Sequence, residues 1–433
     1  MTRLINEAKR SVGQAELYVR RERRIQVRYR DSRLAAVAAD DLFSTALRVI
    51  DKGRLGAAFG VLPDDPGLVA RAKATAALGD PAPFAFSRSR RFANVHPYDA
   101  ATSRLRAPQL IELCERTRER VKPALPKAAL SIQASANHEE IELETTGGTH
   151  VAHEGSSVTL AVHAPIEGGG TSVAKWTSSV SPFEAPEELL DEFVEWYRWT
   201  ETSSTPKTGR HPVLFAPEAA SLYLLPLFSG LDGGAVAKGT SPLAHRLGQP
   251  ILSSLLTVVD DALAQDRPGS RAFDDEGTPC ARRAVVESGV LKSFLLDRHS
   301  SAKLAQAPTG NGYKRRLFSS GTELAPNPWP GQVFVEPGRT PWRELLSQID
   351  DGLLVTGGLG FHSANYPQGQ FSVQALGYHV ERGRVVGRLE RTMIAGNIYE
   401  EFRHVRAVSL EQREGSDAYA PYVLLEAVQV AGN

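Results

Sequence analysis

Near its start the chain carries a strand-like alternation of apolar and polar positions. Between Gln14 and Tyr29, Ile25, Val27 and Tyr29 alternate with Arg24, Gln26 and Arg28, the two-residue period of a half-buried strand. Leu34–Ala38 and Ser44–Ile50 predict two strands of a small antiparallel sheet, and Arg54–Phe59 is a third short apolar run beside Gly53 and Gly60. The spacing changes after that. Pro66 and Gly67 open a helix over 66–78 that Gly79 and Pro81 stop. A connector rich in Pro and Arg, residues 81–106, leads to a helix over 108–122 with Leu110, Leu113 and Val121 on one face, ended by Pro123 and Pro126. Strands follow over Ala129–Ala136, Ile141–Thr146, Thr149–His153 and Ser157–Ala164, with a hairpin turn at Gly147-Gly148. A helix over 187–200 carries the apolar stripe Leu189, Leu190, Phe193, Trp196 and Tyr197, and the polar stretch 200–210 reads as a linker.

From Pro212 onward the pattern is one of short strands and glycines: Leu255–Val259, Val333–Val335, Leu353–Val355, Phe371–Val380, Val385–Leu389 and Val423–Val430, with a hairpin turn at Arg382-Gly383. Thr340 as N-cap and Pro341 at the first helical position open a helix bearing Leu345, Leu346 and Ile349. The mixture predicts an α+β fold in two domains: an N-terminal α/β-mixed domain over 1–204 and a β-rich C-terminal domain over 205–433 with mixed and antiparallel sheets.

Composition narrows the function classes. A chain of 433 residues exceeds one ordinary core of about 100–200 residues. Fifty basic residues balance fifty acidic ones, which gives no reason to expect nucleic acid or an anionic membrane as partner. The local arginines Arg20, Arg21, Arg23, Arg24, Arg28 and Arg30 fit the polar side of the first strand. Two cysteines, Cys114 and Cys280, offer no disulfide framework and suit a reducing compartment. No apolar signal region and no run of about 18 apolar residues occur, so cytoplasm is the expected location.

Most candidate motifs do not survive scrutiny. His150 and His153, beside Glu154, lie three apart on a strand and point to opposite faces. Ser172 and Lys175 match S-x-x-K, as do Ser300 and Lys303, and Lys207–Gly209 matches K-T-G, but no S-D-N separates them. Gly357–Gly360 does not complete a dinucleotide fingerprint. One acidic constellation stands out: Asp260 and Asp261 at a strand end, then Asp274, Asp275, Glu276 and Gly277 after a loop. Clustered carboxylates bind a hard cation, serve as acid and base, or cap backbone amides in a turn.

Several segments then fall in a familiar order: LTVVDD at 256–261, FDDEG at 273–277, VESGVL at 286–291, PTGN at 308–311 with Thr309 and Asn311, DGLLVT at 351–356, GQFS at 369–372 with Gly377, IAGN at 394–397 and VAG at 430–432. In this order they resemble the TldD/PmbA family. The resemblance implies one of two subunit types. The TldD type is a zinc peptidase with H-E-x-x-x-H on a helix and a cysteine ligand near the C-terminus; the PmbA/TldE type lacks these ligands and pairs with it. In the register that aligns Gly230–Asp232, the motif positions here are Leu224, Leu225 and Ser229, none of which does the work of an imidazole or a basic carboxylate. Pro226 lies inside the segment, where it would kink a helix, and residues 411–421 contain no cysteine.

The resemblance therefore implies a PmbA/TldE-like subunit with no catalytic residues and no metal of its own. It would form a heterodimer with a TldD-type zinc peptidase that acts on peptides or unfolded proteins; the family is also linked to maturation of peptide natural products and to modulation of DNA gyrase. The acidic motifs, with Thr309 and Asn311, are expected to serve folding or a shared cavity. Two rivals come from other classes: a self-sufficient hydrolase using Mn²⁺ or Mg²⁺ on the Asp260–Asp261 and Asp274–Glu276 carboxylates, and a non-enzymatic homodimeric scaffold. The hairpin segment Arg382–Arg388 and the arginine-rich first strand depart from the family pattern.

Overall fold

The computed structural model describes residues 2–63, 65–167, 171–317, 319–360 and 365–432. Among them, the first half builds a six-stranded antiparallel sheet in the order β3-β2-β1-β4-β5-β6: β1 (Gln14–Arg30), β2 (Arg33–Asp51), β3 (Arg54–Gly60), β4 (Ser131–Thr145), β5 (His150–Pro165) and β6 (Ser172–Ser179). The strands are longer than the sequence pattern predicts. The expected pair Leu34–Ala38 and Ser44–Ile50 is one continuous strand, β2, and it pairs with β1 along its whole length. In the same way β4 and β5 each join two predicted strands, with the predicted turn at residues 147–148 between them. The far half of β2 is exposed on both faces, so nothing there enforces the alternation that marks a strand.

Alternation in β1 assigns two different tasks to its two faces. Ala15 and Leu17 face a core built with the helices Thr2–Ser11 and Leu68–Ala76, whereas Tyr18 faces Phe273 and Ala272 of the acidic loop. Further along the sheet, Val27 and Tyr29 pack beneath the helix Ala107–Val121. Leu110, Leu113 and Val121 of that helix are buried, as its periodicity requires.

The second half builds a twelve-stranded mixed sheet. At its centre the C-terminal strand Tyr419–Ala431 lies antiparallel to Gly209–Phe215, which in turn lies parallel to Asp351–Leu359. Ser203–Ser204, within the predicted linker, forms its outermost strand. One hydrophobic cluster draws on both sheets: Ile132, Leu160 and Phe193 meet Leu354, Tyr378 and Tyr422. The helix Glu187–Arg198 lies between them, and the Tyr378 hydroxyl donates to Trp196 O at 2.8 Å. The predicted turn at Arg382-Gly383 is present, with φ of 49° and 73°. The helix near 341 begins one residue late: Pro341 rather than Thr340 is its N-cap, and the Trp342 N–H is taken by the Glu411 carboxylate at 2.9 Å. No helix among the described residues is long and apolar enough to cross a membrane.

Gly377 tests this packing. Its φ is +146°, and a Cβ there would lie 2.0 Å from Leu354 O in the neighbouring strand. Gly377→Ala is expected to lower stability by about 3 kcal/mol or more, read as a shift in the denaturation midpoint. A variant within a few tenths of a kcal/mol of the parent would contradict the close approach of these strands.

Candidate functional site

The acidic constellation folds into a buried loop pressed against the N-terminal sheet. Arg48 of β2 stands opposite Glu16 of β1 in register and donates to it through Nε at 2.8 Å and Nη2 at 3.0 Å. The same Nη2 reaches Glu276 Oε1 at 3.0 Å. All three side chains are buried. Burial opposes the Arg48 charge, but Glu16 and Glu276 hold its pKa above the ordinary value. Burial pushes Glu16 upward in spite of Arg48, and repulsion from Glu276 adds to the rise.

The other carboxylates are equally engaged. Asp274 accepts from the Glu276 N–H at 3.0 Å, the Thr278 N–H at 2.8 Å and the Gly312 N–H at 2.8 Å. Burial and the Glu276 charge nevertheless push its pKa up. Burial also acts on Asp275, yet Arg271 at 2.9 Å and the Lys314 N–H at 2.7 Å outweigh it and lower the pKa. Asp260 accepts from Asn311 Nδ2 at 2.6 Å and the Gly331 N–H at 2.7 Å; burial pushes it up to about 6. Asp261 is partly exposed, caps the Leu263 N–H at 3.1 Å and lies 3.6 Å from Arg282. Thr309 links this group by donating to Asn311 Oδ1 at 2.6 Å and receiving the Leu296 N–H at 2.7 Å. Gly277 sits at φ +64° with its carbonyl accepting from Ser87 Oγ at 2.6 Å. The carboxylates thus bind amides, guanidinium groups and an asparagine.

The degenerate motif lies elsewhere, on the helix Ser221–Leu231, which runs through Pro226 and is buried almost throughout. Leu224 is fully enclosed in the core. Leu225 and Ser221 line a cleft of about 590 Å³. Ser229, one turn beyond Leu225, donates to the Leu225 carbonyl at 3.0 Å. Ser416 and Asp417, in the segment that lacks cysteine, line the same cleft. The structure therefore brings together the two segments singled out for their missing ligands. Two hydrocarbon side chains and a hydroxyl that bonds its own helix do not fit a zinc site.

The remaining sequence candidates are structural. His150 is exposed and pairs with Glu142 at 2.7 Å, while His153 is buried, its pKa pushed down to about 3 mainly by burial, so the two imidazoles part as the strand geometry requires. Lys175 is a buried cation shared by Glu192 and Glu218, at 2.6 Å from each. Burial pushes the Cys114 thiol up to about 12 and raises that of Cys280 as well. His211 Nε2 donates to the Lys207 carbonyl, 2.8 Å away. Sequence reasoning missed a trio, His138, Glu140 and Glu154, whose ligand-type atoms lie within 4.8 Å of one another; the Asp260–Asp261 and Asp274–Glu276 carboxylates form no such group among the described residues. His138 Nδ1 lies 2.7 Å from an Arg23 guanidinium, a poor neighbour for a divalent cation. It also missed Glu16, Arg48 and Glu218, because nothing local in sequence marks a partner that arrives from another strand or domain.

Two outcomes follow from the buried loop. Arg48→Met leaves Glu16 and Glu276 buried without their cation and is expected to cost about 3–5 kcal/mol in chemical denaturation; a neutral result would contradict the clamp. Asp260 has its folded pKa raised from 3.8 to about 6, so the stability tied to its protonated form is present below pH 4 and lost as pH rises through 6. Between pH 4 and 7 the parent should lose roughly 2 kcal/mol relative to Asp260→Asn. Parallel stability–pH curves for the two proteins would rule this out.

The family profile for the PmbA/TldA metallopeptidase C-terminal domain matches residues 208–432. A zinc metalloprotease TldD homolog of Saccharolobus solfataricus is 28% identical over 208 residues, covering 48% of this chain and 45% of that protein. The metalloprotease PmbA of Escherichia coli O157:H7 is 25% identical over 332 residues, covering 71% and 70%. With the first relatives the match spans about half of their length, 45% and 47% for two of them. The crystal structure of TldE from Thermococcus kodakarensis shares the fold, with a TM-score of 0.90 over 100% of both chains at 23% identity. With the family profile covering the whole second half, this chain belongs to the PmbA/TldD family of metallopeptidase-like proteins.

Proposed function

We propose that this protein is the non-catalytic, PmbA/TldE-like subunit of a zinc metalloprotease complex whose metal and catalytic residues are supplied by a TldD-type partner. The observation that carries this reading is the chemistry at the cleft: Leu225 lines it, Leu224 is locked in the core, and Ser229 is bonded to its own helix. Lacking an imidazole, a thiolate or a basic carboxylate at these positions, the helix has no means of holding zinc or activating its water. The partner would cut peptides or unfolded segments, and this chain would close and shape the chamber. The likeness to TldE supports the choice of subunit type by fold. The carboxylate-metal alternative draws no support from the acidic loop, whose side chains are occupied by amides, Arg48 and Arg271.

Co-expression with a TldD-type zinc peptidase tests the proposal. The two chains are expected to purify together in equal amounts, to cleave an unfolded substrate only in combination, and to lose that activity on treatment with a chelator. Chelator-insensitive cleavage by this chain alone, or its purification as a homodimer that ignores the peptidase, would overturn it.

A further inference from the structure

The cleft keeps a chemical feature that its hydrocarbon metal positions do not explain. Glu218 stands just before the helix Ser221–Leu231, in the turn Pro217–Ala219, and its side chain is nine-tenths buried, 10% exposed. One carboxylate oxygen, Oε1, takes the Lys175 ammonium at 2.6 Å. The other, Oε2, is buried and accepts no hydrogen bond, yet Glu218 lines the cleft. A buried carboxylate oxygen without a donor is costly, and buried acceptors are rarely left so.

The surroundings say what kind of donor fits. Lys175 is already shared: it also bonds Glu192 at 2.6 Å and lies 3.3 Å from the centre of the Trp196 ring. Arg413 and the Tyr422 hydroxyl occupy Glu192. The cations of this network are thus committed; Oε2 itself is closed to solvent in this arrangement, and a donor from the cleft reaches it as the Glu218 carboxylate turns toward the cleft that this residue lines. The cleft wall adds Trp176, an aromatic side chain that favours a cation carried on an apolar stem; the Trp196 ring is already taken by Lys175. Gly357 of the strand Asp351–Leu359 lines it without a side chain, and Thr356 is bulged out of the ladder beside it. A wall of this kind admits the backbone of an extended segment. The volume of about 590 Å³ lies within the range of small-ligand sites.

We infer that this cleft is a binding site for a primary ammonium group carried on a peptide, with Glu218 Oε2 as its acceptor. The ammonium is that of a peptide N-terminus or of a lysine side chain; both present the same N–H donors. The inference concerns this chain by itself and stands apart from any partner subunit, so its failure leaves the heterodimer proposal untouched.

Isothermal titration of the full chain with three short peptides tests it: one with a free N-terminus and no lysine, one N-acetylated with a single lysine, and one N-acetylated without lysine. At least one of the first two is expected to bind about tenfold or more tightly than the third, and which one identifies the source of the ammonium. Glu218→Gln should abolish that preference while the thermal transition persists. Gln374→Trp, at an exposed cleft residue away from Lys175, should weaken binding by narrowing the entrance, and it serves if Glu218→Gln does not fold. Equal affinity for all three peptides, no binding by any, an unchanged preference in Glu218→Gln, or undiminished binding to Gln374→Trp would each overturn the inference.

Discussion

One guanidinium, that of Arg48, holds the acidic loop against the N-terminal sheet. It is buried between Glu16 and Glu276, so neither carboxylate meets water and neither is free to move. A buried cation between two anions is stable only if every remaining donor and acceptor is satisfied, and the loop meets that demand with backbone amides of Gly312, Lys314, Thr278 and Arg298. The density of carboxylates that suggests catalysis in the sequence is thereby accounted for as architecture. Burial is the leading cause of the raised pKa values of Asp274, Asp260 and Asp297, and the Glu276 charge adds to the rise at Asp274 and Asp297.

The clamp and the cleft divide the molecule's work. The loop joins the six-stranded sheet to the twelve-stranded one, and the junction continues through Trp196, Tyr378 and the Lys175–Glu192 pair. The cleft opens along that junction. It has a volume of about 590 Å³ and a partly polar lining, and Leu225 of the helix Ser221–Leu231 lies in its wall. This arrangement supports the proposed reading of a subunit that shapes or holds a substrate and leaves the chemistry to a partner.

Much of this was legible in the sequence, and the failures have physical causes. The helices over 108–122 and 187–200 were readable because one stripe of each is buried and periodic. The turn at Arg382-Gly383 was readable because few residues tolerate its backbone. Strand lengths were not: the exposed half of β2 runs Leu34, Ala35, Ala36, Val37, Ala38, Ala39, with no burial to impose a period. The acidic residues were visible as a group, but their partners Arg48 and Glu16 lie more than two hundred residues away and look like ordinary strand residues. The cleft was invisible for the same reason, since Glu218, Trp176, Leu225 and Asp417 meet only after folding.

On the reading proposed above, this polypeptide holds no zinc at the helix Ser221–Leu231. Metal analysis of the purified chain, loaded with excess zinc and then dialysed at neutral pH, tests it directly. The account predicts far less than one equivalent of retained zinc. One full equivalent, released by substitutions on the helix Ser221–Leu231 or at residues 411–421, would contradict it.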